Sequence, residues 1–194
     1  MKLEVIRKGE LIPEKWSGGT TTQLAIFPKD ASYPDRNFQF RLSTSEVPVD
    51  ESVFTFLPGV SRVLLILDGE IRLHHPGRYS KVLKKFDSDN FMGDWQTRSS
   101  GKGTDFNLMT TVSSHGHLEG MTIKKGSFKN IELSKTHDVV AIYSYKGEFT
   151  VEVASHKVVL SGGDNLLIFT DNKTDILRIS SKVSGELVLA EIQF

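Results

Sequence analysis

The chain contains no cysteine. That excludes disulfides, thiolate metal sites and a cysteine nucleophile, and it suits a reducing compartment. Net charge is absent too: 24 lysines and arginines balance 24 aspartates and glutamates. No global basic field draws the chain to nucleic acid or to an anionic membrane, and no basic stripe interleaves with aromatics. Long apolar runs are missing. Nothing approaches the roughly 20 apolar residues of a membrane helix. Glu4, Arg7 and Lys8 interrupt the N-terminus before an apolar core of signal-peptide length can form. We therefore expect a cytoplasmic protein that contacts neither nucleic acid nor membrane. No long amphipathic segment repeats at helical spacing either.

What remains is a chain of 194 residues, 38% hydrophobic and 25% charged, which is long enough to bury a substantial core. Residues 60–73 (VSRVLLILDGEIRL) carry the strongest pattern. Residues 63–67 are an apolar run too short for an independent helix. Asp68-Gly69 supplies a turn and alternation then resumes, which predicts a buried strand, a tight turn and a second strand. Residues 20–27, 38–47 and 105–112 read as further strands, and 54–57 as a short one. The polar stretches 74–81, 87–90, 97–104 and 113–120 read as a connection, a turn, a flexible loop and a boundary. From residue 121 short strand candidates recur between turn residues, which predicts an antiparallel sandwich or barrel. The halves also rhyme. VLLILDGEIRL (63–73) is followed by Asp89-Asn90-Phe91, and VAIYSYKGEFTV (140–151) by Asp164-Asn165-Leu166. A β unit duplicated in tandem would look like this.

Candidate site residues come from breaks in the apolar pattern. Arg62 opens the central run, and arginine is rarely buried without a partner. Strand alternation puts Asp105, Asn107 and Met109 on one face of their strand, and Arg41, Ser43 and Ser45 on one face of theirs. If these faces meet Arg62, they form a polar pocket in an apolar wall. A guanidinium fork suits a carboxylate, and Asn and Ser side chains fix its orientation. Alternatively, Arg41 or Arg62 pairs with Asp105 as a structural ion pair. Trp16 beside Gly18-Gly19 reads either as a lid over exposed backbone N–H groups or as a core plug at a bend. Neither phosphate-loop nor dinucleotide glycine spacing is present.

The histidines point away from a metal. His74 and His75 are adjacent, so on a strand they face opposite ways. His115 and His117 have ligand spacing but lie in a Ser/Gly-rich stretch expected to be an exposed loop, and His137 and His156 are isolated. We expect no metal and no cofactor. There is no Gly-x-Ser-x-Gly elbow to carry a serine nucleophile.

An ordered set of residues carries a resemblance. It comprises Trp16-Ser17-Gly18-Gly19-Thr20, Arg41-x-Ser43, Phe54 with residues 57–62 (LPGVSR), Phe91-x-Gly93-Asp94 and residues 105–109 (DFNLM). In these the chain resembles the HutD/Ves family of bacterial bicupins, most closely over residues 16–109. One departure is the turn after Trp16, where the family pattern is Asn-Gly-Gly-Gly and this chain has Ser-Gly-Gly-Thr. The resemblance implies an all-β bicupin: two cupin-type barrels (double-stranded β-helices, RmlC-like) in one chain. The first would span 1–112 and hold the pocket, and the second would span 113–194 as a structural partner, with room for exchange of terminal strands. It also implies a role in histidine utilisation or stress, and a small carboxylate ligand such as formylglutamate.

Three functions stay open. The first is a non-enzymatic binder of a small carboxylate, using Trp16, Gly18, Gly19, Arg41, Ser43, Arg62, Asp105, Asn107 and Met109. The second is a metal-independent isomerase or hydrolase with Asp105 as general base. Against it, a neighbouring arginine should lower the Asp105 pKa rather than raise it. The third is a partner-binding module using exposed sheet edges, and a homodimer is compatible with any of the three.

Overall fold

The computed structural model describes residues 1–111, 113–133, 136–171 and 175–194. The strands are β1 (Lys2–Ile6), β2 (Pro13–Trp16), β3 (Gly19–Phe27), β4 (Phe40–Val47), β5 (Glu51–Val53), β6 (Val60–Gly69), β7 (Ile71–His75), β8 (Tyr79–Leu83), β9 (Ser88–Met92), β10 (Arg98–Ser100) and β11 (Gly103–Thr111). They continue with β12 (His115–Ile123), β13 (Phe128–Leu133), β14 (Val139–Lys146), β15 (Phe149–Val153), β16 (His156–Leu160), β17 (Asn165–Phe169), β18 (Asp175–Ser180) and β19 (Gly185–Gln193). A short 3-10 turn at Lys8–Glu10 is the helical element of the described residues. No helix among them is long and apolar enough to cross a membrane.

The chain forms two compact units. Leu11–Leu118 with Phe194 make the first, and Met1–Glu10 with Glu119–Gln193 the second. The N-terminus lies in the second unit because β1 pairs antiparallel with β17. The first unit has sheets ordered β2-β3-β4-β11-β6-β9 and β5-β10-β7-β8; the second has β1-β17-β14-β19-β12 and β13-β18-β15-β16. Advancing each label from β4 to β11 by eight converts β4-β11-β6-β9 into β12-β19-β14-β17, and β5-β10-β7-β8 into β13-β18-β15-β16. The tandem repeat read from the sequence is thus a repeated eight-strand sandwich.

Each sandwich closes on apolar side chains at alternate strand positions, the arrangement that period-two patterning produces. In the first unit Leu64 and Ile66 of β6 pack with Ile71, Leu73, Leu83 and Phe91. In the second, Val140 and Ile142 of β14 pack with Phe149, Val151, Leu187 and Leu189. The β6–β7 link turns at Gly69, whose φ is +82°, and a Cβ there would fall 2.3 Å from the Lys102 carbonyl oxygen. Only glycine fits that turn. Gly147, with φ +102°, holds the same place between β14 and β15.

Several expected loops are strands. The stretch 74–81 contains the end of β7 and the start of β8, 87–90 runs into β9, 97–104 contains β10, and 113–120 is largely β12. These strands are polar on one face, so their pairing comes from neighbours rather than from local propensity. Residues 54–57 are not a strand; the pairing lies just before them, in β5 against β10. Val112, assigned above to the strand now called β11, lies outside the described residues.

Candidate functional site

The site is built on the face that β3, β4, β11 and β6 turn toward the interior of the first unit. Register aligns its residues in rows. Arg41 of β4 lies opposite Met109 of β11, which lies opposite Arg62 of β6. Ser43, Asn107 and Leu64 form the next row, with Gln23 of β3 beyond Ser43. Ser45, Asp105 and Ile66 form the third, with Thr21 beyond Ser45. A register shift on β6 between the partners of Thr104 and Asp105 brings Asp105 into this row, a common use of a bulge.

These rows line a cavity of about 250 Å³. Arg41, Ser43, Arg62, Asp105, Asn107 and Met109 all face it, and Trp16 stands at its edge. Trp16 is 41% exposed, so it is not a core plug. Its Nε1 donates to Thr21 Oγ1 at 3.0 Å, and Thr21 Oγ1 lies 2.9 Å from Ser45 Oγ. Gly18 borders a neighbouring cavity instead, and Gly19 lines neither. Gly19 has φ +150°, and a Cβ there would fall 1.9 Å from the Glu46 carbonyl oxygen, so its role is close backbone packing of β3 on β4. Gly19→Ala is expected to lower stability by more than about 1 kcal/mol, read as a drop in Tm.

The charges set the chemistry. Arg62 is 5% exposed and Asp105 4% exposed. Arg62 Nε, Asp105 Oδ1 and Asn107 Oδ1 are buried without a hydrogen-bond partner. No ion pair joins Asp105 to either arginine among the described residues, so the structural ion pair allowed by the sequence is not formed. Arg62 instead lies against two aromatic rings packed edge to face on each other, with its guanidinium carbon 4.6 Å from the Phe54 ring centre and 5.2 Å from that of Phe91. Burial lowers its pKa to about 10, yet it stays cationic at neutral pH. Arg41 donates from Nε to Gln23 Oε1 at 2.8 Å and from Nη1 to Ser43 Oγ at 3.1 Å, and lies 4.4 Å from the Tyr33 ring centre. Its pKa is also lowered by burial. Asp105 behaves contrary to the sequence argument. Burial pushes its pKa up to about 7, and Arg62 only partly opposes this.

Sequence reasoning missed Tyr33, Thr21, Phe54 and Glu14, which also line the cavity. Thr21 was legible in principle, since it alternates with Gln23 on a strand. Tyr33 comes from the loop after β3, and nothing local says where that loop lands.

The lining carries no histidine, and two buried cations beside one carboxylate repel a divalent ion. No group of three or more His, Cys, Asp or Glu side chains among the described residues could hold a metal. His115 and His117 lie on strand β12 rather than in a loop, with both side chains exposed. His74 and His75 do face opposite ways. His74 is exposed, while buried His75 contacts Thr97 Oγ1 at 2.9 Å and Asp89 Oδ2 at 3.1 Å.

The repeat gives an internal comparison. With Gly69 set against Gly147, Arg62 corresponds to Val140, and the paired positions Asn107 and Asp105 correspond to Leu189 and Leu187. The second unit packs these apolar residues in its core. The polar cavity therefore belongs to the first unit, at positions the fold fills with aliphatic side chains elsewhere.

The HutD family model matches residues 9–188. The chain belongs to the HutD family. No curated protein matches its sequence. Solved structures match over nearly the whole HutD-family chain. A conserved protein of unknown function from Pseudomonas aeruginosa PAO1 has a TM-score of 0.87 at 18% identity, covering 100% of both chains. HutD from Pseudomonas fluorescens SBW25, solved in a formate condition, has a TM-score of 0.75 at 22% identity, covering 99% of this chain and 98% of that one. Vicilin from hazelnut (Corylus avellana), a cupin, has a TM-score of 0.70 at 12% identity, covering 96% and 84%. The fold is an all-β bicupin.

Proposed function

We propose that this HutD-family chain is a non-enzymatic binding protein for a small carboxylate of the formylglutamate kind, serving as a regulator in histidine utilisation. One observation carries the reading: two buried guanidiniums face a cavity whose one buried carboxylate pairs with neither. A buried charge without a counter-charge is costly. An anion entering between Arg41 and Arg62 supplies that counter-charge and accepts from Arg62 Nε. Asn107, Ser43 and Asp105 set its orientation, and Met109 with Leu64 covers its carbon chain.

A metal-independent isomerase or hydrolase is the second reading. What favours it is Asp105, whose pKa near 7 suits a general base at neutral pH. Turnover of the bound acid that disappears in Asp105→Asn while binding survives would select the enzyme.

A thermal-shift screen against formate, formylglutamate and other histidine-degradation acids, with and without divalent metals, tests the binding reading. A ligand at a hundredfold excess over its Kd stabilises the native state by about 2.7 kcal/mol. The expected result is a rise in Tm with a carboxylate, unchanged by metal. A rise with metal alone, or no rise with any acid, would remove the reading.

A further inference from the structure

A second polar cluster is buried in the first unit, next to the rings that Arg62 lies against. His75 is 1% exposed, Thr97 1% and Asp89 5%. The Phe91 ring, which Arg62 touches, also packs on the His75 ring at 4.9 Å between centres. Asp89 shares the buried face of β9 with Phe91. The imidazole is held at both nitrogens. Nε2 donates to Asp89 Oδ2 at 3.1 Å, and Nδ1 lies 2.9 Å from Thr97 Oγ1. A carboxylate only accepts, so the contact with Asp89 fixes a proton on Nε2. Tyr79 Oη donates to Asp89 Oδ1 at 3.2 Å, and Lys81 Nζ lies 3.5 Å from the same oxygen.

The repeat shows that the fold does not need this cluster. Strand register sets Asp89 against Leu166 and Phe91 against Ile168. His74 opposite Arg98 corresponds to Glu152 opposite Arg178, which sets His75 against Val153 and Thr97 against Leu177. Val153, Leu166, Ile168 and Leu177 all pack in the apolar core of the second unit. A buried polar network is harder to satisfy than an aliphatic core. In the first unit it occurs directly beside the rings that carry Arg62.

We infer that the His75–Asp89–Thr97 network positions Arg62 for its ligand by holding the two rings beside the guanidinium. This rests on the proposed carboxylate site and names the residues that set its geometry. Arg62 Nε has no hydrogen-bond partner, so the Phe54 and Phe91 rings orient the guanidinium. The network reaches both rings. Phe91 packs on the imidazole, and the Phe54 backbone N–H donates to the Thr97 carbonyl oxygen at 3.0 Å. Thr97 therefore joins the network through its hydroxyl and Phe54 through its backbone. Aliphatic side chains can fill this volume, but hydrogen bonds at both nitrogens also fix the angle of the imidazole, and with it the ring packed on it. The arrangement leaves Nε open to an incoming anion and still sets where it points, which is preorganisation.

Titration of formylglutamate into the triple variant His75→Val, Asp89→Leu, Thr97→Leu tests this. Each replacement is the residue that the second unit holds at that position. Exchanging a buried charged network for apolar residues is often neutral or stabilising, and Tyr79 and Lys81 are exposed enough to turn to water. The expected result is a Tm at or above wild type with affinity lower by about tenfold or more, the loss typical when groups that orient a ligating side chain are removed. Asp89→Asn keeps an acceptor for Nε2–H and should bind like wild type. An equal loss in Asp89→Asn would trace the effect to the Asp89 charge and overturn the positioning role. So would a folded triple variant that binds as tightly as wild type, and the inner site would stand. If the triple variant does not fold, Thr97→Val carries the test: affinity should fall about threefold at unchanged Tm, and unchanged affinity would overturn the inference. No binding to wild type would remove the carboxylate reading and the inference with it.

Discussion

Arg62→Met is expected to abolish carboxylate binding and leave the fold in place. Removing one partner of a buried, hydrogen-bonded charge pair costs about 3–5 kcal/mol, so affinity should fall by at least about a hundredfold. The opposite holds for stability. Arg62 is buried with Nε unpartnered and its pKa depressed by that burial, so the empty pocket already bears the cost of the charge. What Arg62 gives back comes from the Phe54 and Phe91 rings, about 0.5–2 kcal/mol in contacts of this type. Methionine keeps the volume against those rings and removes the charge. The Tm of the ligand-free variant should stay within a few degrees of wild type. If Arg62 were instead a structural strut, the variant would lose Tm heavily and ligand affinity would fall only through unfolding. Melting curves with and without ligand separate the two.

Asp105→Asn is expected to raise stability at alkaline pH and to remove most of the pH dependence of binding. The Asp105 carboxyl titrates near 7 in the fold, against about 4 when unfolded. Between these values the native state holds a proton that the unfolded chain has lost, so stability falls as pH rises from about 4 to about 7 and is lowest above that. The full difference corresponds to about 4 kcal/mol. At pH 8 the asparagine variant should therefore gain up to that amount, and at pH 4 almost nothing. Ligand binding follows the same sign. A carboxylate placed beside Asp105 favours the neutral acid, so affinity should rise as pH falls from 8 to about 7, approaching tenfold per unit, and level off below 7, where Asp105 already carries its proton. In Asp105→Asn that slope should flatten. A wild-type affinity that is flat from pH 6 to 8 would show that Asp105 does not face the bound anion.

How far the sequence disclosed this site follows from how the information is stored. Arg41, Ser43, Asp105 and Asn107 were visible because polar residues recur at period two within strands that are otherwise apolar, and Arg62 because it stands alone in a β-rich run. A cavity wall made of central strands records itself in local alternation. The parts that escaped depend on distant pairing. β10 and β12 are polar stretches that become strands through their neighbours, and β1 crosses to the second unit through its register with β17. Tyr33 reaches Arg41 from a loop whose path no local pattern records. The Asp105 pKa was misjudged because adjacency to arginine was weighed without the depth of burial, and burial is the larger effect. The repeat was legible at its turns, Gly69 and Gly147. That the two units differ inside, with Arg62 against Val140 and Asp105 against Leu187, became readable only once the strand registers aligned them.

Isothermal titration of formylglutamate into the wild-type chain and into Arg62→Met, at pH 6.5 in about 0.1 M salt, tests the central claim most directly. The expected result is saturable binding at one site per wild-type chain, proton uptake seen as a dependence of the heat on the buffer, and no measurable binding to a folded Arg62→Met. Equal binding to both proteins, or none to the wild type, would contradict a carboxylate site built on the buried arginines.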